Sequence, residues 1–272
     1  MSDTESEHLV AEPERPAGER PAVSVRGLRK AFGAKVAVQG LDLDVPHGCF
    51  FGLVGPNGAG KTTSLSMMTG LLRPDAGSAW VKGVDVWWDP VRAKASIGVL
   101  PEDLRLFERL TGSELLTFSG LLRGLPSDVV KERVPELLDV LGLTEAAKVM
   151  VVDYSHGMRK KIGLASALIH APTVLFLDEP FEAVDPVSAR SIRALLERHT
   201  DGGGTVVFSS HVMELVERLC DRVAVMHQGR LVIEGPTAAV RRGKTLEEAF
   251  VELVGERDAS TKELRWLGTS SG

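Results

Sequence analysis

The stretch Phe50-Phe-Gly-Leu-Val-Gly-Pro-Asn-Gly-Ala-Gly-Lys-Thr62 decides how this chain folds. Its first five residues are a nearly continuous apolar run, the pattern of a strand covered on both faces. The next eight fit G-x-x-x-x-G-K-[ST] at every defined position, and Thr63-Ser-Leu-Ser-Met-Met68 continues in helical fashion. Gly55, Gly58 and Gly60, with Pro56, Asn57 and Ala59 between them, let backbone N–H groups curl around an anion. The N-terminus of the following helix, at Thr62 and Thr63, adds a positive dipole end. In such a loop Lys61 reaches the β- and γ-phosphates of a nucleotide, and the Thr62 hydroxyl ligates Mg²⁺. A glycine-rich turn that binds nothing is the plain alternative; the succession of strand, loop and helix weighs against it.

Working outward, Val23-Ser-Val-Arg26 and Leu41-Asp-Leu-Asp-Val45 alternate in the manner of half-buried strands. Apolar runs recur at 174–177, 205–208 and 223–226, separated by helical patterns, which predicts a mostly parallel α/β sheet. From about 103 to 151 strand signals vanish. Leu115, Leu116, Val130, Val134, Leu137, Leu138 and Leu141 recur at helical spacing, and Thr111-Gly-Ser-Glu114 has the form of a capping box. This is a helical insertion into the α/β domain. A last helix is expected over 245–254.

Bulk properties narrow the function classes. The 272 residues (29.3 kDa) include 43% hydrophobic and 5% aromatic residues, enough for an aliphatic core. Net charge is -5 and pI about 5.9, which argues against a nucleic-acid partner. Residues 1–22 carry six carboxylates against two arginines and few large apolar groups, so they are expected to be a disordered acidic leader. Cys49 and Cys220 sit in apolar contexts, which favours a reducing, cytosolic compartment over a disulfide framework. No run of about 18 apolar residues occurs, and the N-terminus lacks the basic and apolar segments of a signal peptide.

Three further segments carry chemistry. Val174-Leu-Phe-Leu-Asp-Glu179 ends an apolar run in two carboxylates, placing them at the C-terminal edge of the sheet beside the phosphate loop. Asp178 would hold Mg²⁺ directly or through water, and Glu179 would polarise an attacking water as general base; a strand ending in solvated acids is the alternative. Tyr154-Ser-His-Gly-Met158 precedes basic Arg159-Lys-Lys161 and an apolar helix. There Ser155 is a good N-cap and Gly157 leaves its amide accessible, so the helix start is either a second anion site or an ordinary cap. His211, after the apolar run 205–208, is placed either to meet a γ-phosphate or simply to pack.

Taken in order, these elements resemble the nucleotide-binding subunit of an ABC transporter, from about Val23 to Gly255. Gly55 to Thr62 looks like Walker A, and Val174 to Glu179 like Walker B with its catalytic glutamate. Tyr154 to Met158 stands where the family has its signature motif, Asp185 resembles the D-loop aspartate, His211 the switch histidine, and Phe32 the aromatic that stacks on adenine. The resemblance implies a P-loop NTPase of the ABC ATPase type: a mostly parallel core sheet, an antiparallel β portion, and a helical subdomain of about 103–165 inserted in a domain over 23–256. Residues 257–272 would form a tail. It also implies binding of ATP and Mg²⁺, hydrolysis, and head-to-tail pairing with a second nucleotide-binding subunit. Ser155, His156, Gly157 and Met158 would then face the partner's ATP. A separate integral permease would hold the chain at the inner face of the membrane.

Three departures stand out. The signature has His156 where glycine is usual, the D-loop reads Phe181-Glu-Ala-Val-Asp185, and the Q-loop glutamine is Glu102, which would share the metal and catalytic roles of that position. Glu102 after Leu100-Pro101, the Tyr-Ser-x-Gly-Met signature and Thr245-Leu-Glu-Glu-Ala-Phe250 resemble exporters with ABC-2-type permeases, whose substrates include drugs, antibiotics and lipids. The rival readings are an ABC ATPase acting away from membranes and a regulatory subunit with weak hydrolysis. Intact Glu179 and His211 oppose the second.

Overall fold

The computed structural model describes residues 20–255. Its strands are β1 (Val23–Phe32), β2 (Lys35–Val45), β3 (Phe50–Val54), β4 (Ala76–Val81), β5 (Val84–Asp85), β6 (Ile97–Leu100), β7 (Val174–Asp178), β8 (Thr205–Ser210), β9 (Arg222–His227) and β10 (Arg230–Pro236). Its helices are α1 (Lys61–Met68), α2 (Pro90–Ala95), α3 (Gly112–Leu122), α4 (Ser127–Val140), α5 (His156–Leu168), α6 (Pro186–Asp201), α7 (Met213–Leu219), α8 (Thr237–Arg241) and α9 (Leu246–Gly255). Two sheets result. The smaller has the order β2-β1-β4-β5 and is antiparallel. The larger has the order β10-β9-β3-β8-β7-β6, with parallel pairing from β9 to β6 and β10 antiparallel at its edge.

The unbroken apolar strands follow from burial on two sides. Phe51 and Leu53 of β3, with Val174 and Phe176 of β7, face a core shared with the smaller sheet and α1. Phe50, Val54, Leu175 and Leu177 face a second core, closed by Leu115, Leu116, Val130, Val134 and Leu138 of the helical segment. Each such side chain taken from water contributes roughly 1.5–3 kcal/mol. The alternating half of β2 instead buries one face only, as Leu41, Leu43 and Val45 do, whereas β1 buries Ser24 along with Val23 and Val25.

The helical segment consists of α3, α4 and α5. The Thr111 capping box forms: Thr111 Oγ1 accepts from Glu114 N–H, and Glu114 Oε2 accepts from Thr111 N–H. A matching box, Thr245 with Glu248, opens α9. Each cap is worth about 1 kcal/mol.

The leader is expected to extend through residue 22, but Ala22 is fully buried, donates to Val45 O at 2.8 Å and accepts from Lys82 N–H at 2.8 Å. The small sheet therefore takes hold of the chain one residue before the alternation begins. Residues 1–19 of the leader, the tail 257–272 and the expected domain end at 256 lie outside the described residues. Strands β4, β5, β6 and β10 carry weak apolar signals and enter as partners in pairings begun elsewhere. Both cysteines are buried free thiols.

His170 closes the turn after α5. Its Nε2–H donates to Ile97 O at 3.0 Å, and burial, with Arg123 and Arg133 nearby, pushes its pKa down from 6.5 to about 4. The native ring is neutral where the unfolded chain takes up a proton, so stability is lost as pH falls from 6.5 towards 4. In urea denaturation, His170→Gln is expected to lose less stability than the native chain over that interval. Parallel pH curves would contradict this.

Candidate functional site

Parallel register brings the site together. Val54 at the end of β3 lies opposite Ser210 of β8, and Asp178 at the end of β7 lies opposite Ser209. The glycine loop, the serines and the carboxylates thus leave the sheet at one edge. Between β3 and β7 runs β8, which supplies Ser209. The Ser209 hydroxyl donates in a short hydrogen bond to Asp178 Oδ1 and accepts from Glu179 N–H at 3.1 Å.

The loop itself is tightly confined. A Cβ on Gly55 would lie 2.2 Å from Met226 O, and one on Gly60 would lie 2.5 Å from Ala37 O at a φ of +101°. Only glycine fits such approaches. The turn after β9 holds the loop from outside, with Gly229 N–H donating to Ala59 O at 3.0 Å. Lys61 opens α1 and is 6% exposed. Its Nζ donates to Gly55 O at 2.8 Å and Pro56 O at 3.3 Å, and stands 3.6 Å from Glu179 Oε1.

Glu179 is 6% exposed and adopts a left-handed backbone with φ of 45°. His211 Nδ1 lies 3.0 Å from Glu179 Oε1. As the carboxylate accepts, Nδ1 carries the hydrogen. Thr62 Oγ1 donates to Glu102 Oε2 at 3.3 Å, and Thr62, Glu102 and Asp178 line one cavity. No group of three or more His, Cys, Asp or Glu gathers for a metal among the described residues. A hydroxyl and two carboxylates fit a hard cation such as Mg²⁺, which takes few protein oxygens and shares its shell with phosphates and water.

Phe32, 53% exposed, lines a neighbouring cleft of about 360 Å³ together with Lys35, Asn57, Gly58, Gly60, Lys61, Thr62, Thr63, Glu102 and Glu179. An exposed aromatic ring lining the same cleft as a glycine-rich loop offers it a flat apolar face.

The other expected residues stand apart. Ser155 caps α5, its Oγ accepting from Met158 N–H at 3.3 Å, and Ser155 and His156 are exposed. Residues 155–158 do not line the cleft of their own chain. Asp185 caps α6, accepting from Val187 N–H at 3.0 Å and Ser188 N–H at 2.9 Å. A Cβ on Gly157 would lie 3.4 Å from Asp185 Oδ2, so these two elements are neighbours. Sequence reasoning overlooks Ser209 and Lys160. The first is signalled only by a polar pair ending an apolar run, and the second is hidden in the basic triplet 159–161.

The comparisons with known proteins agree with this geometry. The family model described as ABC transporter matches residues 38–182. The linearmycin resistance ATP-binding protein of Bacillus subtilis is 38% identical over 213 residues, 78% of this chain and 68% of that protein. The daunorubicin/doxorubicin resistance ATP-binding protein of Streptomyces peucetius is 38% identical over 220 residues, 81% of this chain and 67% of that one. The Nod factor export ATP-binding protein I of Ralstonia nicotianae is 39% identical over 218 residues, 80% and 68% of the two chains. Among solved structures, an ATP-binding subunit of an ABC transporter superposes with a TM-score of 0.80 at 27% identity, covering 86% of this chain and 99% of that one. This chain belongs to the ABC transporter family as one of its ATP-binding, ATP-hydrolysing domains.

Proposed function

We propose that the chain powers export through a separate ABC-2-type membrane permease by hydrolysing Mg²⁺-ATP between two copies of itself, or between itself and a similar subunit. One observation carries the hydrolytic part: Glu179 Oε1 is buried between Lys61 Nζ at 3.6 Å and His211 Nδ1 at 3.0 Å, at the end of the nucleotide cleft. Lys61 would bind the β- and γ-phosphates, and Phe32 would stack on the base. Thr62, Asp178 and Glu102 would hold Mg²⁺, which would neutralise phosphate charge. Glu179 would take the proton of the attacking water while His211 holds its carboxylate in place. Asp185 would link the signature helix of its own chain to the shared site.

Pairing is supported by the separation of residues 155–158 from their own cleft: a helix start with an exposed Ser155 and a half-buried Gly157 would serve another subunit's phosphate. Export is supported by the relatives, one named for export and two for resistance to linearmycin or to daunorubicin and doxorubicin. A drug-like, antibiotic or lipid substrate is in keeping with those names. No helix among the described residues is long and apolar enough to cross a membrane. A permease partner would therefore place the chain peripherally, at the cytoplasmic face.

Glu179→Gln is expected to reduce ATP turnover by about 10²–10⁴-fold while leaving ATP binding intact; native turnover in this variant would remove Glu179 as the base. Lys61→Ala should weaken ATP binding by roughly 10-fold or more, the loss of a charge-assisted contact, measured by titration with a fluorescent ATP analogue. Composite sites make a third prediction. Lys61→Ala and Ser155→Ala proteins, each poorly active alone, should regain activity when mixed, because each mixed pair keeps one intact site. Strictly additive rates on mixing would show that the sites are not shared.

A further inference from the structure

Lys160 is among the largest fully buried side chains and is 1% exposed, yet none of the roles assigned above uses it. It projects from α5, the helix that Ser155 caps, and its Nζ donates to Glu179 O at 3.0 Å. That carbonyl also accepts from Glu182 N–H at 3.2 Å, while the Glu179 N–H is held by Ser209 Oγ at 3.1 Å. The residue pinned on both sides is the one in the left-handed conformation, at φ of 45°. Resting on the reading of Glu179 as the hydrolytic base, we infer that Lys160 is a positioning residue that ties the signature helix to Glu179 within one chain, so that movement of α5 shifts the carboxylate.

The physical case is that a buried ammonium is a costly way to fill space. Burial depresses its pKa, opposed by Glu182, Glu102, Asp178 and Glu179 around it. Methionine would fill nearly the same volume with no charge to desolvate, and replacing buried charge by apolar bulk is often neutral for folding. What methionine cannot supply is a donor for Glu179 O. With that donor gone, the left-handed turn loses a restraint on its carbonyl side, and the carboxylate can drift from Lys61 and His211. The same tie gives the start of α5, which faces the partner's nucleotide in the proposed pair, a direct link to hydrolysis in its own chain.

The test compares Lys160→Met with Lys160→Gln, which keeps an N–H donor, in the full-length protein. The methionine variant should melt no lower than the native chain. Its kcat should fall about 10- to 100-fold, the scale of a small misplacement, with KM for ATP within about twofold. The glutamine variant should recover most of that turnover. In a Glu179→Gln background, Lys160→Met should leave ATP affinity unchanged. Native kcat in Lys160→Met, a matching loss of ATP affinity, no recovery with glutamine, or a chain that no longer folds would each overturn the inference. Native turnover by Glu179→Gln alone would instead overturn the role of Glu179, and so separates the two failures.

Discussion

Ser209 sits at the point where the site's acidic residues meet the sheet. Its hydroxyl donates to Asp178 and accepts from the backbone of Glu179, which it can do only because β7 and β8 run parallel with Asp178 opposite Ser209. One strand further on, the same register sets Ser210 against Val54, the residue that launches the glycine loop. A slip of one residue in either pairing would turn the ends of these strands to opposite faces. It would also swap Phe50 and Phe51 between two cores packed for one arrangement of side chains, so those cores hold the register. The geometry of a few polar atoms at the edge is thus maintained by burial far larger than anything the site itself contributes.

The polar residues at that edge balance one another. Lys61, Asp178, Glu179 and Lys160 are all buried, at 6%, 5%, 6% and 1% exposure. An isolated charge at such depth would cost several kcal/mol. Here two ammonium groups flank two carboxylates, and backbone carbonyls of residues 55, 56 and 179 take the remaining ammonium hydrogens. The arrangement sets two ammonium groups among two carboxylates before a nucleotide arrives, and Lys61 Nζ and the Glu179 carboxylate are each held by more than one neighbour.

Much of this was legible in the sequence, for reasons that differ by element. Strands β3, β7, β8 and β9 announce themselves because both their faces are covered, leaving no polar alternation to confuse with helix. The Thr111 box and the Ser155 cap are local, and local hydrogen bonding is written in neighbouring residues. Strands β4 and β10 were not individually visible, since Ala76-Gly-Ser and Arg230-Leu-Val owe their conformation to partners distant in sequence. Ser209 and Lys160 escaped for a related reason. Neither is unusual in its own segment, and each matters only through what the topology sets against it. The altered residues at 102 and 156 are visible as letters, whereas their surroundings, an exposed hydrogen bond to Thr62 and an exposed helix start, belong to the fold.

The left-handed backbone at Glu179 also bears on how this domain can be improved. A non-glycine residue in that conformation costs on the order of 1 kcal/mol, and engineering for thermal tolerance would normally relax it. Here the residue that would relax it lacks a carboxylate. Any programme of stabilisation must therefore leave that position alone and gain its margin elsewhere, at the exposed helix faces or the caps of α3 and α9. The same turn marks the place where a gain in robustness and a gain in turnover pull the chain in opposite directions.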